Sequence, residues 1–191
     1  MSDPVVIPGS RDVRGRLDRP DADCLVVACP PHPRHGGSRS DRRLRAVSDA
    51  LASDVACLRF DYGPWDGGVG ERTDAERALA WASERFERVG LFGYSFGAGV
   101  ALRAAASPSV PVRACSALAP PADDGVDRLD AIDCPVHVCY GERDDTVEWE
   151  PVVARARERG HTVDALPADH RFAGQLDAVG ERVATFLTAR L

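Results

Sequence analysis

Short apolar runs alternate along this chain with stretches in which apolar residues recur every three or four positions. "CLVVAC" (24–29), "VACLRF" (55–60), "RVGLFG" (88–93), "VRACSALA" (112–119), "VHVCY" (136–140) and "TVDAL" (162–166) are too short for buried helices and are predicted as strands. Between them, Ala75, Ala78, Leu79, Ala82 and Phe86 follow i, i+3, i+4, i+7 spacing within 71–87, as do Leu44, Val47 and Leu51 within 39–53. Leu176, Val179, Val183, Phe186 and Leu187 repeat that spacing in the last segment. Strands that are apolar on both faces and alternate with helices imply a mostly parallel sheet covered by helices on both sides. Two weaker strands, around 4–8 and 14–18, are expected to add an antiparallel edge. No internal repeat, low-complexity tract or long linker interrupts the pattern.

Composition narrows the reading. At 191 residues and 44% hydrophobic content the chain suits one well-buried core, so 1–191 is read as a single domain. No stretch approaches the roughly 18 consecutive apolar residues of a membrane span, and "MSDPVVIPGS" lacks a basic segment followed by an apolar one. A soluble, cytoplasmic protein with no membrane partner is expected. The net charge of −6 argues against a nucleic-acid partner, which needs a concentrated basic surface. All 24 basic residues are arginine, and the missing lysine excludes Schiff-base chemistry and a P-loop. The six cysteines form no C-x-x-C and fall mostly in or beside strand-like runs, where buried thiols of a reducing compartment are expected. Neither a metal site nor a cofactor is expected.

In such a sheet, ligands bind outside the carboxyl ends of the strands, so the loops that follow strands are where chemistry is sought. "GYSFGAG" (93–99) follows the predicted strand 88–93 and precedes the small-residue helix 96–107. G-x-S-x-G arises by chance in a glycine-rich chain, but between a strand and a helix it makes a sharp turn that lifts Ser95 Oγ clear of the sheet. Gly93 and Gly97 are then small because side chains there would collide across the turn. A serine hydroxyl needs a base, and five histidines are available. His137 lies inside a strand as a core or face histidine, and His161 precedes its strand, at the opposite end of the sheet from Ser95. His32 and His35 follow the first central strand and line the site, but in an unusual chain order for the base. His170, in "LPADHRF", follows the last strand and alone has both the right edge and the Ser, acid, His order. "VCYGERDDTV" places Glu142, Asp144 and Asp145 after a strand as candidate orienting acids. Position alone leaves Asp144 and Asp145 both open, the other serving as a loop charge or helix cap.

These residues together resemble the α/β-hydrolase superfamily, and within it the small lidless members labelled dienelactone-hydrolase-like. "GYSFGAG" matches the elbow, "GERDDTV" is similar to the family's G-x-x-D-x-x-V acid turn and so favours Asp144, and "ADHRF" looks like the histidine turn. "CPPHPRHGGS" (29–38) resembles a H-P-H-P-x-x-G-G loop of one branch, and "LRFDYGPWDGGVGE" (58–71) resembles that branch's arginine-phenylalanine strand and glycine-rich loop. Pro30 stands where that branch carries its first histidine. Ser95 stands where dienelactone hydrolase itself has cysteine, so that enzyme's substrate does not carry over. The resemblance implies an α/β-hydrolase fold with an oxyanion hole made by the main-chain N–H groups of Phe96 and of His32. Only about 16 residues (119–134) separate two strands where many relatives insert a lid, so no lid domain is expected. The expected activity is that of a serine hydrolase, with Ser95, His170 and Asp144 cleaving an ester-like bond of a small soluble substrate. The rival expectation is a binding module of the same fold with an idle site.

Overall fold

The computed structural model describes residues 2–191. In chain order its elements are β1 (Ser2–Ile7), β2 (Val13–Asp18), β3 (Cys24–Cys29), α1 (Arg42–Ala50), β4 (Val55–Asp61), α2 (Val69–Ser83) and β5 (Arg88–Tyr94). They continue with α3 (Phe96–Ala106), β6 (Cys115–Leu118), α4 (Ala122–Gly125), β7 (Val136–Gly141), α5 (Glu150–Glu158), β8 (Thr162–Leu166) and α6 (Leu176–Thr188). The strands form one eight-stranded sheet in the order β1-β2-β4-β3-β5-β6-β7-β8. β1 pairs antiparallel with β2, and β2 with β4; every other pairing is parallel. The antiparallel edge and the parallel centre are those the apolar pattern predicts.

The period-2 geometry of a strand explains why β3 is apolar throughout. Leu25, Val27 and Cys29 join the core under α2, α3 and α5, whereas Cys24, Val26 and Ala28 join the core under α1 and α6. The helices cover these faces with the stripes their spacing foretells: Leu44 and Val47 from α1, Ala75, Ala78, Leu79 and Ala82 from α2, and Val179, Val183, Phe186 and Leu187 from α6. Asp41 starts α1, its Oδ1 accepting the Arg43 N–H at 2.8 Å, so the helix begins later than residue 39. β6 is shorter than 112–119, beginning at Cys115 and ending at Leu118, after which Ala119, at φ 48°, turns the chain. α5 is an addition to the expected elements. It starts with Pro151 in its first turn and buries Val152, Val153 and Ala156, two turns that leave too short a periodic signal to read.

Two features position the site. After β3 the chain passes to α1 on one face, and after β5 it passes to α3 on the other, so these neighbouring strands part at their carboxyl ends and leave a crevice. Only the four-residue α4 and a 3-10 turn at Val126–Ala131 lie between β6 and β7, so no lid covers that crevice. No helix of the described residues is long and apolar enough to cross a membrane.

Candidate active site

Ser95 sits between β5 and α3 at φ 55°, ψ −122°, a conformation L side chains rarely adopt. The surrounding backbone imposes it: the Ser95 N–H donates to Leu118 O at 2.8 Å, and Ser95 O accepts from the N–H groups of Ala98 and Gly99. The elbow also depends on its glycines. A Cβ on Gly93 would lie 2.1 Å from Gly97 O, and one on Gly97 would lie 2.2 Å from Cys29 O. The turn therefore packs directly on the end of β3 and leaves Ser95 half-buried at the carboxyl edge of the sheet.

His170 and Asp144 reach the same point from other strand ends. His170 Nε2 lies 3.0 Å from Ser95 Oγ, and His170 Nδ1 lies 2.7 Å from Asp144 Oδ2. An ionised carboxylate only accepts, so Nδ1 carries the proton and donates to Asp144, and Nε2 is left to accept the Ser95 hydroxyl proton. The Asp144 side chain is fully buried and its Oδ1 accepts the N–H groups of Thr146 and Val147. The turn after β7 is held by the Asp144 N–H on Gly141 O and by Trp149 Nε1 on Asp144 O. Asp145, one residue on, is exposed. Tyr94 Oη donates to His170 O at 2.9 Å and fixes the histidine turn, a contact no local sequence signal announces. His137 is buried within β7 and His161 lies before β8, so neither approaches Ser95.

The loop after β3 forms the opposite wall. Tyr62 Oη donates to Pro30 O, and His32 O accepts the N–H groups of His35 and Gly37, closing the loop through the 3-10 turn Pro33–His35. Among the described residues, neither the Phe96 N–H nor the His32 N–H is taken by a main-chain acceptor. The His32 ring accepts the Arg34 N–H at Nδ1 and lies 4.5 Å from the His35 ring, 4.4 Å from Trp65 and 5.0 Å from Phe96. Burial, then the neighbouring His35 and Arg34, push the His32 pKa below its ordinary value. Trp65 arrives on the loop between β4 and α2, which two buried carboxylates hold. Asp74 accepts the Gly63 N–H and the Arg11 guanidinium, and Glu71 accepts the N–H groups of Asp66 and Gly68. His32 and His35 are legible in the sequence as residues of this wall; Trp65 is not, because its partners lie some thirty residues away.

Ser95, His32, His35, Thr146, His170 and Arg171 share a cleft of about 750 Å³. The thiol of Cys29, beneath the elbow, is pushed up to about 12 by burial and offers no competing thiolate. All six cysteines are free. Among the described residues, no cluster of His, Cys, Asp or Glu is arranged to hold a metal ion.

This sheet, its unlidded crevice and a serine on a strained strand-to-helix turn define an α/β-hydrolase. The sequence model of the dienelactone hydrolase family matches residues 66–185, and the chain belongs to that family, as a hydrolase of ester-like bonds. Among solved structures it is similar to an α/β serine hydrolase without a lid from Xanthomonas campestris, at 25% identity over 95% of this chain and 94% of that one, with a TM-score of 0.76. An α/β serine hydrolase homologue from Coxiella burnetii superposes with a TM-score of 0.82, at 24% identity over 97% of both chains. A dienelactone hydrolase from Anabaena variabilis gives a TM-score of 0.83 at 22% identity, covering 100% of this chain and 98% of that one. No curated protein matches the chain in sequence.

Proposed function

We propose that the protein is a serine hydrolase in which Ser95 is the nucleophile, His170 the general acid and base, and Asp144 the orienting acid. The observation that carries this reading is the unbroken chain from Ser95 Oγ through both nitrogens of His170 to Asp144, at 3.0 and 2.7 Å, in the cleft at the strand ends. Ser95 Oγ attacks the carbonyl carbon of an ester-like substrate while His170 Nε2 takes its proton. Asp144 stabilises the imidazolium that forms. The carbonyl oxygen becomes an oxyanion received by the Phe96 and His32 main-chain N–H groups, donors typically worth about 3 kcal/mol each. As the intermediate collapses, the bond to the leaving oxygen breaks and His170 returns the proton to it. Water, deprotonated by His170, then attacks the acyl-enzyme, and its proton returns to Ser95 as the acid departs.

The open cleft suits a small soluble ester or thioester. The site draws on residues from the loop after β3 to the loop after β8, so we read the whole chain as one catalytic domain. The test is mass-spectrometric labelling with a fluorophosphonate. Stoichiometric adduct on Ser95, absent from Ser95→Ala and His170→Ala, is the expected result. A folded wild-type protein that takes no label would favour an idle, binding-only site.

A further inference from the structure

The rings of His35, His32 and Trp65 form a column beside the nucleophile. His35 and His32 are nearly parallel, at 20° and 4.5 Å between centroids, and His32 meets Trp65 at 33° and 4.4 Å. Both faces of the His32 ring are thus covered. His35 is at the end of the column, is exposed, and among the described residues makes no ring contact except with His32. It also lines the same cleft as Ser95 and His170. Among the described residues no second ring covers its imidazole at the wall of the site.

That column is held rigidly from behind. Phe96, the residue after the nucleophile, packs on both His32 and Trp65, and the Trp65 loop is fixed by the buried Asp74 and Glu71. Sheet order decides what part of a substrate meets it. His35 follows β3 and His170 follows β8, and these strands lie on opposite sides of β5, which carries Ser95. The leaving oxygen must sit at His170 Nε2 to receive its proton, which commits the β8 side to the leaving group and leaves the β3 side, where His32 receives the oxyanion, open to the acyl substituent. A flat ring placed there extends a column whose faces are already spaced for stacking.

We infer that His35 is a specificity-determining residue that stacks on the acyl group of the substrate and selects a flat aromatic acyl group over an aliphatic one. This rests on the hydrolase reading above, because it needs an acyl group delivered to Ser95. Stacking of this kind is worth about 3- to 10-fold in discrimination.

The experiment measures kcat and KM for vinyl benzoate and vinyl butyrate, which share a leaving group, in wild type, His35→Ala and His35→Phe, with fluorophosphonate labelling of Ser95 in each. The benzoate-to-butyrate ratio of kcat/KM is expected to fall about 3- to 10-fold in His35→Ala, chiefly through KM, and to recover in His35→Phe. Label on Ser95 with an unchanged ratio overturns the inference and leaves the hydrolase reading standing. So does an equal loss of kcat on both esters, which would make His35 a prop for its loop. Wild-type protein that neither labels nor hydrolyses either ester overturns the hydrolase reading, and the role of His35 with it.

Discussion

Ser95, His170 and Asp144 form one chain of hydrogen bonds, and Ser116, His137 and Asp164 form another inside the same sheet. In the second, Ser116 on β6 lies directly opposite His137 on β7, with Oγ 2.9 Å from Nδ1, and His137 Nε2 lies 3.2 Å from Asp164 Oδ2 on β8. The ring is reversed, so the neutral tautomer that donates to Asp164 carries its proton on Nε2. What separates the two chains is placement. Ser116 and His137 are fully buried, and the His137 ring stacks on Phe186 of α6 at 5.1 Å. Ser95 stands on a strained turn facing a cleft. The same three residue types thus form a satisfied cross-strand polar ladder within strands, and a hydrogen-bonded chain that opens on a cleft only where a strand ends.

The sharpest way to break this comparison is to remove each serine. Ser95→Ala is expected to lower turnover of a small ester by on the order of 10⁶. Ser116→Ala is expected to leave turnover at the wild-type level and to lower unfolding free energy by about 1–3 kcal/mol, because His137 Nδ1 loses its buried partner. Esterase assays and urea denaturation of both variants give the two readouts. A Ser95→Ala variant that kept its esterase activity would refute the assignment.

The acids give the next largest contrast. Asp144→Asn is expected to cost about 10⁴ in kcat, since the amide no longer holds the His170 tautomer that accepts from Ser95. Asp145→Asn, at an exposed neighbour, and Asp164→Asn, at the half-buried end of the ladder, are expected to leave kcat unchanged. Comparable losses in Asp144→Asn and Asp145→Asn would mean that the turn, rather than one carboxylate, is what matters.

These contrasts also mark what the amino-acid order can carry. The elbow is local: a strand, a serine and two glycines within five positions suffice to place Ser95 on a turn, and β3 declares itself a central strand by being apolar at all six positions. His170 is legible because it follows the last strand. Asp144 and Asp145 are adjacent and position leaves both open; the resemblance of "GERDDTV" to the family's acid turn favours Asp144, and the turn, with Asp144 Oδ1 on Thr146 and Val147 and Oδ2 toward His170, shows how that carboxylate faces the histidine. His137 is legible as a core histidine from its strand. Its partners are not, because they depend on the register of β6 and β8 against β7. Trp65 is hidden for the same reason: its contacts join two loops that have no periodicity of their own.

A further contrast concerns how the ladder responds to acid. Burial, opposed by Asp164 and reinforced by Arg190 and Arg182, lowers the His137 pKa from 6.5 to about 4. A histidine whose pKa is lower in the folded than in the unfolded chain is protonated first in the unfolded chain. Its contribution to stability is therefore complete above pH 6.5, declines as pH falls below that value, and is gone near pH 4. Over that window one proton bound only by the unfolded chain costs about 3 kcal/mol. His137→Gln keeps a donor and an acceptor in the ladder but does not titrate there. Urea midpoints measured between pH 7 and pH 4 are expected to fall steeply in wild type and more gently in the variant. Parallel slopes would place the acid sensitivity outside the ladder and leave His137 a neutral spacer beneath α6.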